Sequence, residues 1–304
     1  MLFSDKPIPN QSLALPIFLK MGIEVFVKRE DLLHPEVSGN KFRKLKYNLQ
    51  EAQKEGCEGL LTFGGAFSNH LAATAAAAQA CGMASVGVVR GDELANKPLN
   101  TTLAYCQSQG MQLHFVSRDV YKQKEKGIVS LLETNPTFFV IPEGGSNPWA
   151  VAGCQEILQD KDDVFDTIAI AVGTGGTMAG LVASAKPHQA VVGYQVVNDV
   201  AIPQQIRTFA GHDRWTLDPT HKVLGYAKTP PELVRFAIEV AQQTGIVLDP
   251  LYTGPMVWRM VQQLKSNTWT HGTRILVIHT GGLQAIAGIN ARLARQGSML
   301  RWPC

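Results

Sequence analysis

A regular alternation of short apolar runs with helix-like stretches is the feature that most constrains the fold. The apolar runs are rich in β-branched and aromatic residues, which favour strands, and they lie at residues 25–27, 60–63, 85–89, 112–116, 138–141, 167–172, 191–197 and 275–278. Helix-like stretches lie between most of them, for example at residues 69–80, 99–109 and 232–244. Because apolar strands that alternate with helices form parallel sheets covered on both faces, the sequence predicts an α/β fold with parallel-rich sheets. Residues 198–223 carry no strand signal, and we expect a mixed loop region there.

Composition narrows the class of protein. The chain has 304 residues, of which 45% are hydrophobic and 17% charged, so it can bury a large core and form two lobes. Its net charge of +3 gives no reason to expect a nucleic-acid partner. No apolar stretch is long enough to span a membrane, and no signal peptide is visible. The five cysteines lack metal-ligand or redox spacing, which predicts reduced thiols in the cytoplasm and no metal site.

Four predicted strands end in glycine-rich turns. Their sequences are "TFGGAFSNH", "VIPEGGSN", "AVGTGGTMAG" and "VIHTGG". In sheets of this kind, ligands bind where the carboxyl ends of strands meet the amino ends of helices. One such turn is commonplace, but several indicate that the backbone approaches a ligand at more than one point.

The clearest of these turns runs from Gly173 to Thr177 and leads into a predicted helix. Free backbone N–H groups at the positive end of a helix form a site for an anion such as phosphate. A dinucleotide site is a weaker interpretation, because Met178 stands where the third glycine of that fingerprint would fall. A tight strand-to-helix turn without any ligand is the remaining alternative.

A cluster of basic residues begins the helix predicted after Gly39. Around that helix, at about 100° per residue, Lys41 lies on the edge of an apolar stripe formed by Phe42, Leu45, Leu49 and Ala52. Arg43 and Lys46 are expected to point away from the stripe, and Lys44 to lie farther from it than Lys41. Lys41 is therefore the basic residue predicted to face inward, where it must be paired, neutral or covalently bound. The alternative is a snorkelling lysine at a solvated helix start.

The motifs "SGNKFRKL", "GGAFSNH", "GTGGTMAGL" and "HTGG", in this order, resemble the pyridoxal-phosphate enzymes of the tryptophan-synthase-β-like fold. More narrowly, the chain is similar to the 1-aminocyclopropane-1-carboxylate deaminase and D-cysteine desulfhydrase family, from "VKREDL" to "HTGG". The resemblance implies a large cofactor-binding domain of residues 1–44 and 148–304, with a small α/β domain of residues 45–147 inserted in it. It also implies a cytoplasmic homodimer that acts on a small amino acid.

The resemblance assigns a role to each motif. Lys41 would carry the cofactor as a Schiff base and later move the substrate's α-proton. The cofactor phosphate would bind at Gly173, Thr174, Gly175, Gly176 and Thr177. Asn69 would contact the cofactor ring, and Ser68 would hold the substrate carboxylate at a helix start. Simple helix capping by Ser68 and Asn69 is an equally weighted alternative on the residues alone.

Four further residues follow from the same resemblance. Tyr252 in "LDPLYTGPM" and Tyr226 in "LGYAKTPPEL" match tyrosines beside the substrate, although half-buried tyrosines are more often packing residues. Thr280 stands where the family faces the cofactor's pyridine nitrogen. His70 is a candidate to touch the substrate, with a purely structural role as the alternative.

The chain departs from the family pattern around the substrate. Ala66 and Phe67 stand in "GGAFSNH" where the family has "GGIQSN", and residues 198–224 look abbreviated. Thr253 stands where the deaminases place a glutamate. Thr253 and Thr280 favour β-elimination from D-cysteine, with 1-aminocyclopropane-1-carboxylate deamination or another small-amino-acid lyase reaction as the alternative. A nucleotide-dependent oxidoreductase and a non-catalytic cofactor-binding protein are less favoured readings.

Overall fold

The computed structural model describes residue 3, residues 6–265 and residues 273–304. The strands of this described part are β1 (Asn10–Ser12), β2 (Glu24–Lys28), β3 (Gly59–Gly64), β4 (Ala84–Arg90), β5 (Met111–Val116), β6 (Phe138–Ile141), β7 (Thr167–Val172), β8 (Ala190–Gln195), β9 (Trp215–Asp218) and β10 (Arg274–Ile278). The α-helices are α1 (Pro16–Lys20), α2 (Asn40–Lys54), α3 (Asn69–Ala80), α4 (Thr101–Ser108), α5 (Arg118–Lys122), α6 (Val129–Thr134), α7 (Pro148–Gln155), α8 (Gly176–Ser184), α9 (Ile202–Ala210), α10 (Thr220–Leu224), α11 (Pro231–Thr244), α12 (Thr253–Leu264) and α13 (Ala285–Arg295). Within the described ranges, no helix has the length and apolar character that crossing a membrane requires.

The strands form two sheets. One sheet has six strands in the order β1-β2-β10-β7-β8-β9, and all of its pairs are parallel except β1 with β2. The other has four parallel strands in the order β5-β4-β3-β6. The predicted α/β fold with parallel-rich sheets is therefore confirmed.

Both sheets are covered on both faces, as continuous apolar strands require. In the larger sheet, Ala169 and Val277 pack into one core with Met256 of α12. Their neighbours Ile168 and Leu276 point to the opposite face and pack with other buried residues that include Leu181 of α8. The two-residue period of a strand thus sends successive side chains of β7 and β10 into two different cores.

The expectation of a mixed loop region at residues 198–223 was wrong. It contains α9, the short strand β9 and most of α10. The strand β1 at the opposite edge was also not predicted. Each of these edge strands pairs on one side only and has no fully buried residue, so neither shows the continuous apolar run by which the inner strands are recognised.

The order of strands along the chain separates the two sheets. All four strands of the smaller sheet lie between residues 59 and 141, whereas the larger sheet takes residues 10–28 and the strands from residue 167 onward. The helix α2 begins at Asn40 and ends at Lys54, so it runs across the expected domain boundary at residue 45. We keep the division into residues 1–44 with 148–304 and residues 45–147 as a proposal, which limited proteolysis would test.

Candidate active site

The four glycine-rich turns lie at the carboxyl ends of β3, β6, β7 and β10, and close contacts join them. A Cβ atom placed on Gly144 after β6 would lie 2.8 Å from the side chain of Thr174 after β7. A Cβ on Gly282 after β10 would lie 2.6 Å from Nδ2 of Asn69 after β3. Both distances are shorter than non-bonded atoms tolerate, so the turns converge closely enough to form one site.

The helix α2 carries Lys41 into this site. Gly39 precedes the helix with φ 60°, and a Cβ there would lie 2.0 Å from the Thr280 carbonyl oxygen, so glycine is needed at this approach. The Asn40 N–H donates to the same Thr280 oxygen at 3.3 Å. From this anchored start, the Lys41 amine reaches the turn after β6 and donates to the Gly144 carbonyl oxygen at 3.1 Å.

The environment of Lys41 favours a neutral amine. Burial lowers the pKa of Lys41 well below its ordinary value, and the nearby positive charge of Lys44 lowers it further. A neutral amine has the free electron pair that attack on a carbonyl or removal of a proton requires. The lowered pKa therefore makes the free amine of Lys41 more accessible than that of an ordinary lysine.

The prediction that Lys41 is the basic residue best placed to face inward was wrong. Lys44 is more deeply buried, with 1% of its surface exposed, and its amine donates to the Gly144 carbonyl oxygen at 2.8 Å and to the Ser146 hydroxyl at 3.1 Å. Arg43 is also buried, where it pairs with Glu30 at 2.9 Å. A second side of α2 packs against residues distant in the chain, so the angle to the apolar stripe was not a sufficient guide.

The turn after β7 forms a cup at the start of α8. Gly175 adopts a left-handed conformation with φ 82°, and the Asn40 amide donates to the Thr177 hydroxyl at 2.8 Å. The hydroxyls of Thr174 and Ser146 lie 2.7 Å apart. A Cβ on Gly176 would lie 2.6 Å from the Ser146 hydroxyl. The cup therefore gathers hydroxyl groups at the positive end of a helix.

Lys44 completes this cup with a cationic group. Its amine lies 3.2 Å from the position of a Cβ on Gly176. Burial lowers the pKa of Lys44 to about 8, so a bound anion would stabilise its charged form. Sequence reasoning missed Lys44 and Ser146 as members of the cup, although Ser146 belongs to the glycine-rich turn "VIPEGGSN".

The turn after β3 leads into α3 through Ser68. The Ser68 hydroxyl accepts a hydrogen bond from the Leu71 N–H at 3.2 Å, so Ser68 is the N-cap of this helix. The side-chain oxygen of Asn69 is buried and has no hydrogen-bond partner. A buried amide oxygen without a partner is costly, which indicates that a bound group completes the site beside Asn69.

His70 lies behind this turn, where its ring is held by neighbouring backbone and side chains. Its Nε2 lies 2.8 Å from the Thr62 hydroxyl, and a Cβ on Gly145 would lie 2.9 Å from its Cε1. Burial lowers the pKa of His70 well below its ordinary value, and the charges of Lys41 and Lys44 add to this effect. His70 is therefore a neutral imidazole packed against the glycine-rich turn that carries Gly145.

Tyr252 and Tyr226 lie together near the cup. A Cβ on Gly173 would lie 3.2 Å from the Tyr252 ring, and the two tyrosine hydroxyls are 3.5 Å apart. Burial raises the pKa of Tyr252 well above its ordinary value, with a further contribution from Tyr226. Tyr226 is 45% exposed, so it lies toward the solvent side of the pair.

Asp249 fixes the backbone around Tyr252 and was not predicted. Its carboxylate accepts the N–H groups of Leu251, Tyr252 and Thr253 at 2.7 to 3.0 Å, and it is fully buried. These bonds hold Tyr252 and the start of α12 in place. The motif "LDPLY" carried a signal, because an aspartate shortly before a helix commonly binds backbone N–H groups.

These features fit pyridoxal phosphate. The cup offers hydroxyls, helix N–H groups and the Lys44 amine to a phosphate, and the buried Asn69 oxygen lacks a partner. Lys41 offers an amine of lowered pKa to an aldehyde. The residues present therefore match the three parts of the cofactor: phosphate, ring and carbonyl.

Comparisons with known proteins agree with this chemistry. A family model described as a pyridoxal-phosphate dependent enzyme matches residues 8–281. A Thermotoga maritima protein, provisionally named a 1-aminocyclopropane-1-carboxylate deaminase, is 34% identical over 95% of this chain and 98% of its own length. The mitochondrial bifunctional D-cysteine desulfhydrase/1-aminocyclopropane-1-carboxylate deaminase of Arabidopsis thaliana is 30% identical over 91% of this chain and 80% of its own. The crystal structure of an ACC deaminase homologue has a TM-score of 0.79 and 26% identity, covering 97% of this chain and 95% of that one.

Proposed function

Because the chain belongs to the pyridoxal-phosphate-dependent enzyme family that includes 1-aminocyclopropane-1-carboxylate deaminases and D-cysteine desulfhydrases, we propose that it eliminates the thiol of D-cysteine. The products are pyruvate, ammonia and sulfide. The observation that carries the proposal is the position of the Lys41 amine, which donates to the Gly144 carbonyl oxygen in the turn where the phosphate-binding cup and the start of α3 converge. Burial also lowers the pKa of Lys41, which favours the free amine that removal of an α-proton needs.

The cofactor-binding roles are assigned to residues that line the site. When bound, pyridoxal phosphate supplies an aldehyde for an amine and a ring that withdraws electrons. Lys41 holds that carbonyl, and Asn69 contacts the ring. Thr280, at the turn that anchors α2, would face the pyridine nitrogen. The phosphate-binding residues are Gly173, Thr174, Gly175, Gly176 and Thr177, to which the geometry adds Lys44 and Ser146.

The substrate-binding roles are assigned to residues around the start of α3 and to the two tyrosines. Ser68 and the amino end of α3 hold the substrate carboxylate, since free N–H groups favour an anion there. Asn69 and Tyr226 border the substrate, and His70 supports this edge from behind the turn after β3. Tyr252 keeps its proton because its pKa is raised, so it acts as a hydrogen-bond donor. Lys41 takes the α-proton on Nζ and returns a proton later in the cycle.

Two threonines favour elimination over ring opening. Thr253 occupies the position where the resembling deaminases place a glutamate, and its buried hydroxyl has no hydrogen-bond partner. Asp249, a carboxylate near the turn after β10, is already engaged by three backbone N–H groups. Neither Thr253 nor Thr280 can hold a proton on the pyridine nitrogen as a free carboxylate would. A reaction whose leaving group carries away the negative charge needs less help from the ring.

Deamination of 1-aminocyclopropane-1-carboxylate is the second candidate. It is favoured by the name of the Thermotoga maritima relative and by one of the two activities in the name of the Arabidopsis thaliana relative. It uses the same Lys41 and the same phosphate-binding cup. The two candidates differ only in the residues around the pyridine nitrogen and the substrate side chain.

A substrate panel separates the candidates. We expect kcat/KM for D-cysteine to exceed that for 1-aminocyclopropane-1-carboxylate at least tenfold, a difference of about 1.4 kcal/mol in transition-state binding. In the same panel, L-cysteine tests which enantiomer is preferred, and D-serine tests the effect of the leaving group. A preference for the cyclopropane substrate would reject the argument from Thr253 and Thr280 but leave the cofactor assignment intact.

Anion binding in the cup is expected to take up protons through Lys44. At pH 8.5 a lysine with a pKa of about 8 is mostly neutral, and a neighbouring phosphate raises that pKa, so the amine gains a proton. Calorimetric titration of the apoenzyme with inorganic phosphate, repeated in two buffers of different ionisation enthalpy, measures this proton uptake. It should exceed about half a proton per site in the wild type.

Two variants control this measurement. Lys44→Met should abolish the uptake, whereas Lys46→Met should retain it, because Lys46 is paired with Glu156 on the other side of the helix. Equal proton uptake by wild type and Lys44→Met would show that Lys44 does not bind the phosphate.

We further propose that the protein acts as a homodimer in the cytoplasm, as the family resemblance implies. Light scattering on purified protein would test the dimer, and a monomeric mass at working concentration would reject it. Imaging or fractionation of the tagged protein in its native cells would test the location.

A further inference from the structure

Four side chains that have no role in the proposed mechanism meet at the edge of the smaller sheet. Arg90 ends β4, Tyr121 lies in α5, Lys124 follows α5, and Glu143 follows β6. This set is called the Arg90 cluster below. It lies at the carboxyl ends of parallel strands, the same edge that carries the turns of the active site, and ligands of such sheets bind at that edge.

Contacts within the Arg90 cluster hold its two cations in place. The Lys124 amine lies 2.5 Å from the Glu143 carboxylate and 4.2 Å from the centre of the Tyr121 ring. The Arg90 guanidinium lies 5.6 Å from the same ring centre. Both cations are therefore within the range of attraction to the ring electrons.

The Arg90 cluster adjoins the active site on two sides. Arg90 Nη2 lies 3.4 Å from the position of a Cβ on Gly65, and the Gly65 carbonyl accepts the Ser68 N–H at 3.0 Å. Glu143 is bonded directly to Gly144, whose carbonyl accepts hydrogen bonds from Lys41 and Lys44. A substrate bound by Ser68 and Lys41 thus has the Arg90 cluster as its neighbour.

The charges of the cluster do not cancel. Lys124 is matched by Glu143, but Arg90 has no ion pair within the residues that the structure covers. The Tyr121 side chain is 3% exposed, and its hydroxyl has no hydrogen-bond partner. Burial raises the pKa of Tyr121, and Glu143 adds to this, so the hydroxyl keeps its proton and remains a donor. The cluster offers one unmatched positive charge, and the Tyr121 hydroxyl is a protonated donor beside Glu143.

Lys124 adds a sign of strain at the same place. It has φ 54°, a left-handed conformation that a residue with a side chain adopts at a cost. The ion pair with Glu143 and the contact with the Tyr121 ring hold the side chain in this position. Backbone strain of this kind is concentrated at functional sites.

We infer that the Arg90 cluster is a subsite for a negatively charged group on the leaving side of the substrate. The inference rests on the proposed β-elimination and extends it to cysteines whose sulfur carries an acidic substituent. With S-carboxymethyl-D-cysteine as the substrate, Lys41 takes the α-proton, the bond between Cβ and sulfur breaks, and sulfur keeps the electron pair. With one water, the net products are thioglycolate, pyruvate and ammonia. Arg90 and the Tyr121 hydroxyl bind the carboxylate of the departing group.

A matched pair of substrates isolates the charge. S-carboxymethyl-D-cysteine and S-carbamoylmethyl-D-cysteine have nearly the same shape and differ by one negative charge. We expect the wild-type holoenzyme to favour the acid over the amide at least tenfold in kcat/KM. Arg90→Gln should reduce that ratio to within threefold of one, because the unmatched positive charge is gone, and Tyr121→Phe should reduce it partly.

A neighbouring arginine provides the control variant. Arg118 is exposed on the same lobe and pairs with Glu93, outside the Arg90 cluster. Arg118→Gln removes one positive charge from the same part of the protein and should leave the ratio unchanged. A similar fall in both variants would indicate a general effect of net charge and would overturn the subsite.

Binding supplies a readout that does not depend on turnover. D-glutamate and D-glutamine form a second acid–amide pair without a β-leaving group, and calorimetry on the holoenzyme gives their dissociation constants. Tighter binding of the acid that is lost in Arg90→Gln supports the subsite. An acid-to-amide ratio near one in the wild type for both pairs would overturn the subsite. A preference for the acid that persists in Arg90→Gln would overturn it too. D-cysteine turnover, measured beside these, reports separately on the proposed function.

Discussion

Lys41→Ala is expected to lose at least about a thousandfold in turnover, together with the visible absorbance of the bound cofactor. Its amine reaches the Gly144 turn beside the phosphate-binding cup and has a lowered pKa, whereas alanine can neither bind the cofactor carbonyl nor move a proton. Turnover of D-cysteine and the absorbance spectrum of the purified variant check this result. Retained activity and absorbance would contradict the assignment.

Lys44→Met is the matched control for Lys41→Ala, because the two lysines lie one helical turn apart and both donate to the Gly144 carbonyl oxygen. The control should retain the visible absorbance at saturating cofactor and lose affinity, since Lys44 contacts the cup. The opposite pattern, with absorbance lost in Lys44→Met and kept in Lys41→Ala, would exchange the roles of the two residues.

Gly176→Val is expected to weaken cofactor binding at least a hundredfold, which corresponds to about 2.7 kcal/mol. Even the first side-chain atom at this position would lie 2.6 Å from the Ser146 hydroxyl and 3.2 Å from the Lys44 amine. The valine would fill the space and displace the groups that bind phosphate. Titration of the apoenzyme with cofactor measures the change in dissociation constant.

Gly245→Ala separates this effect from a general loss of stability. Gly245 caps the carboxyl end of α11 with φ 69°, and a Cβ there meets no atom within 4 Å, so alanine strains the backbone without contacting the cup. The control should lose some thermal stability while binding the cofactor normally. Unchanged affinity in a folded Gly176→Val would mean that the turn after β7 has only a structural role.

The parts of the fold that could be predicted are those with a signal in the local sequence. The helix α3 begins and ends where the sequence indicated, because Ser68 caps it and Gly82 follows it within two residues. The inner strands were recognised because burial on both faces requires a continuous apolar run. The edge strands β1 and β9 escaped recognition because a strand that pairs on one side needs no such run.

The site was predictable where a motif carried it and not where distant segments meet. The turn at Gly173–Thr177 and Lys41 stand in motifs, so the resemblance was sufficient to select them. Lys44 and Ser146 are 102 residues apart and become partners only through the packing of α2 against the turn after β6. The burial of Arg43 likewise depends on Glu30, which no helical periodicity reveals.

The contacts of Asp249 and of the Arg90 cluster were also not predictable, because they join segments that are distant in the chain. The sequence indicates only a local helix cap at Asp249. The structure places its carboxylate beside Gly282 and the backbone of Tyr252. Arg90 ends β4 and Glu143 follows β6, two strands that are separated by β3 in the sheet and lie far apart in the chain. A single sequence gives no signal for such a meeting, because charged residues after strands are common on protein surfaces.

The central claim is that Lys41, not Lys44, carries the cofactor, and chemical labelling tests it most directly. Borohydride converts a bond between a lysine and the cofactor carbonyl into a stable secondary amine, and the modified lysine is then identified by mass spectrometry of the digested protein. We predict that the added pyridoxyl mass lies on Lys41. Labelling of Lys44, or labelling of no lysine in a protein that has bound the cofactor, would contradict the account.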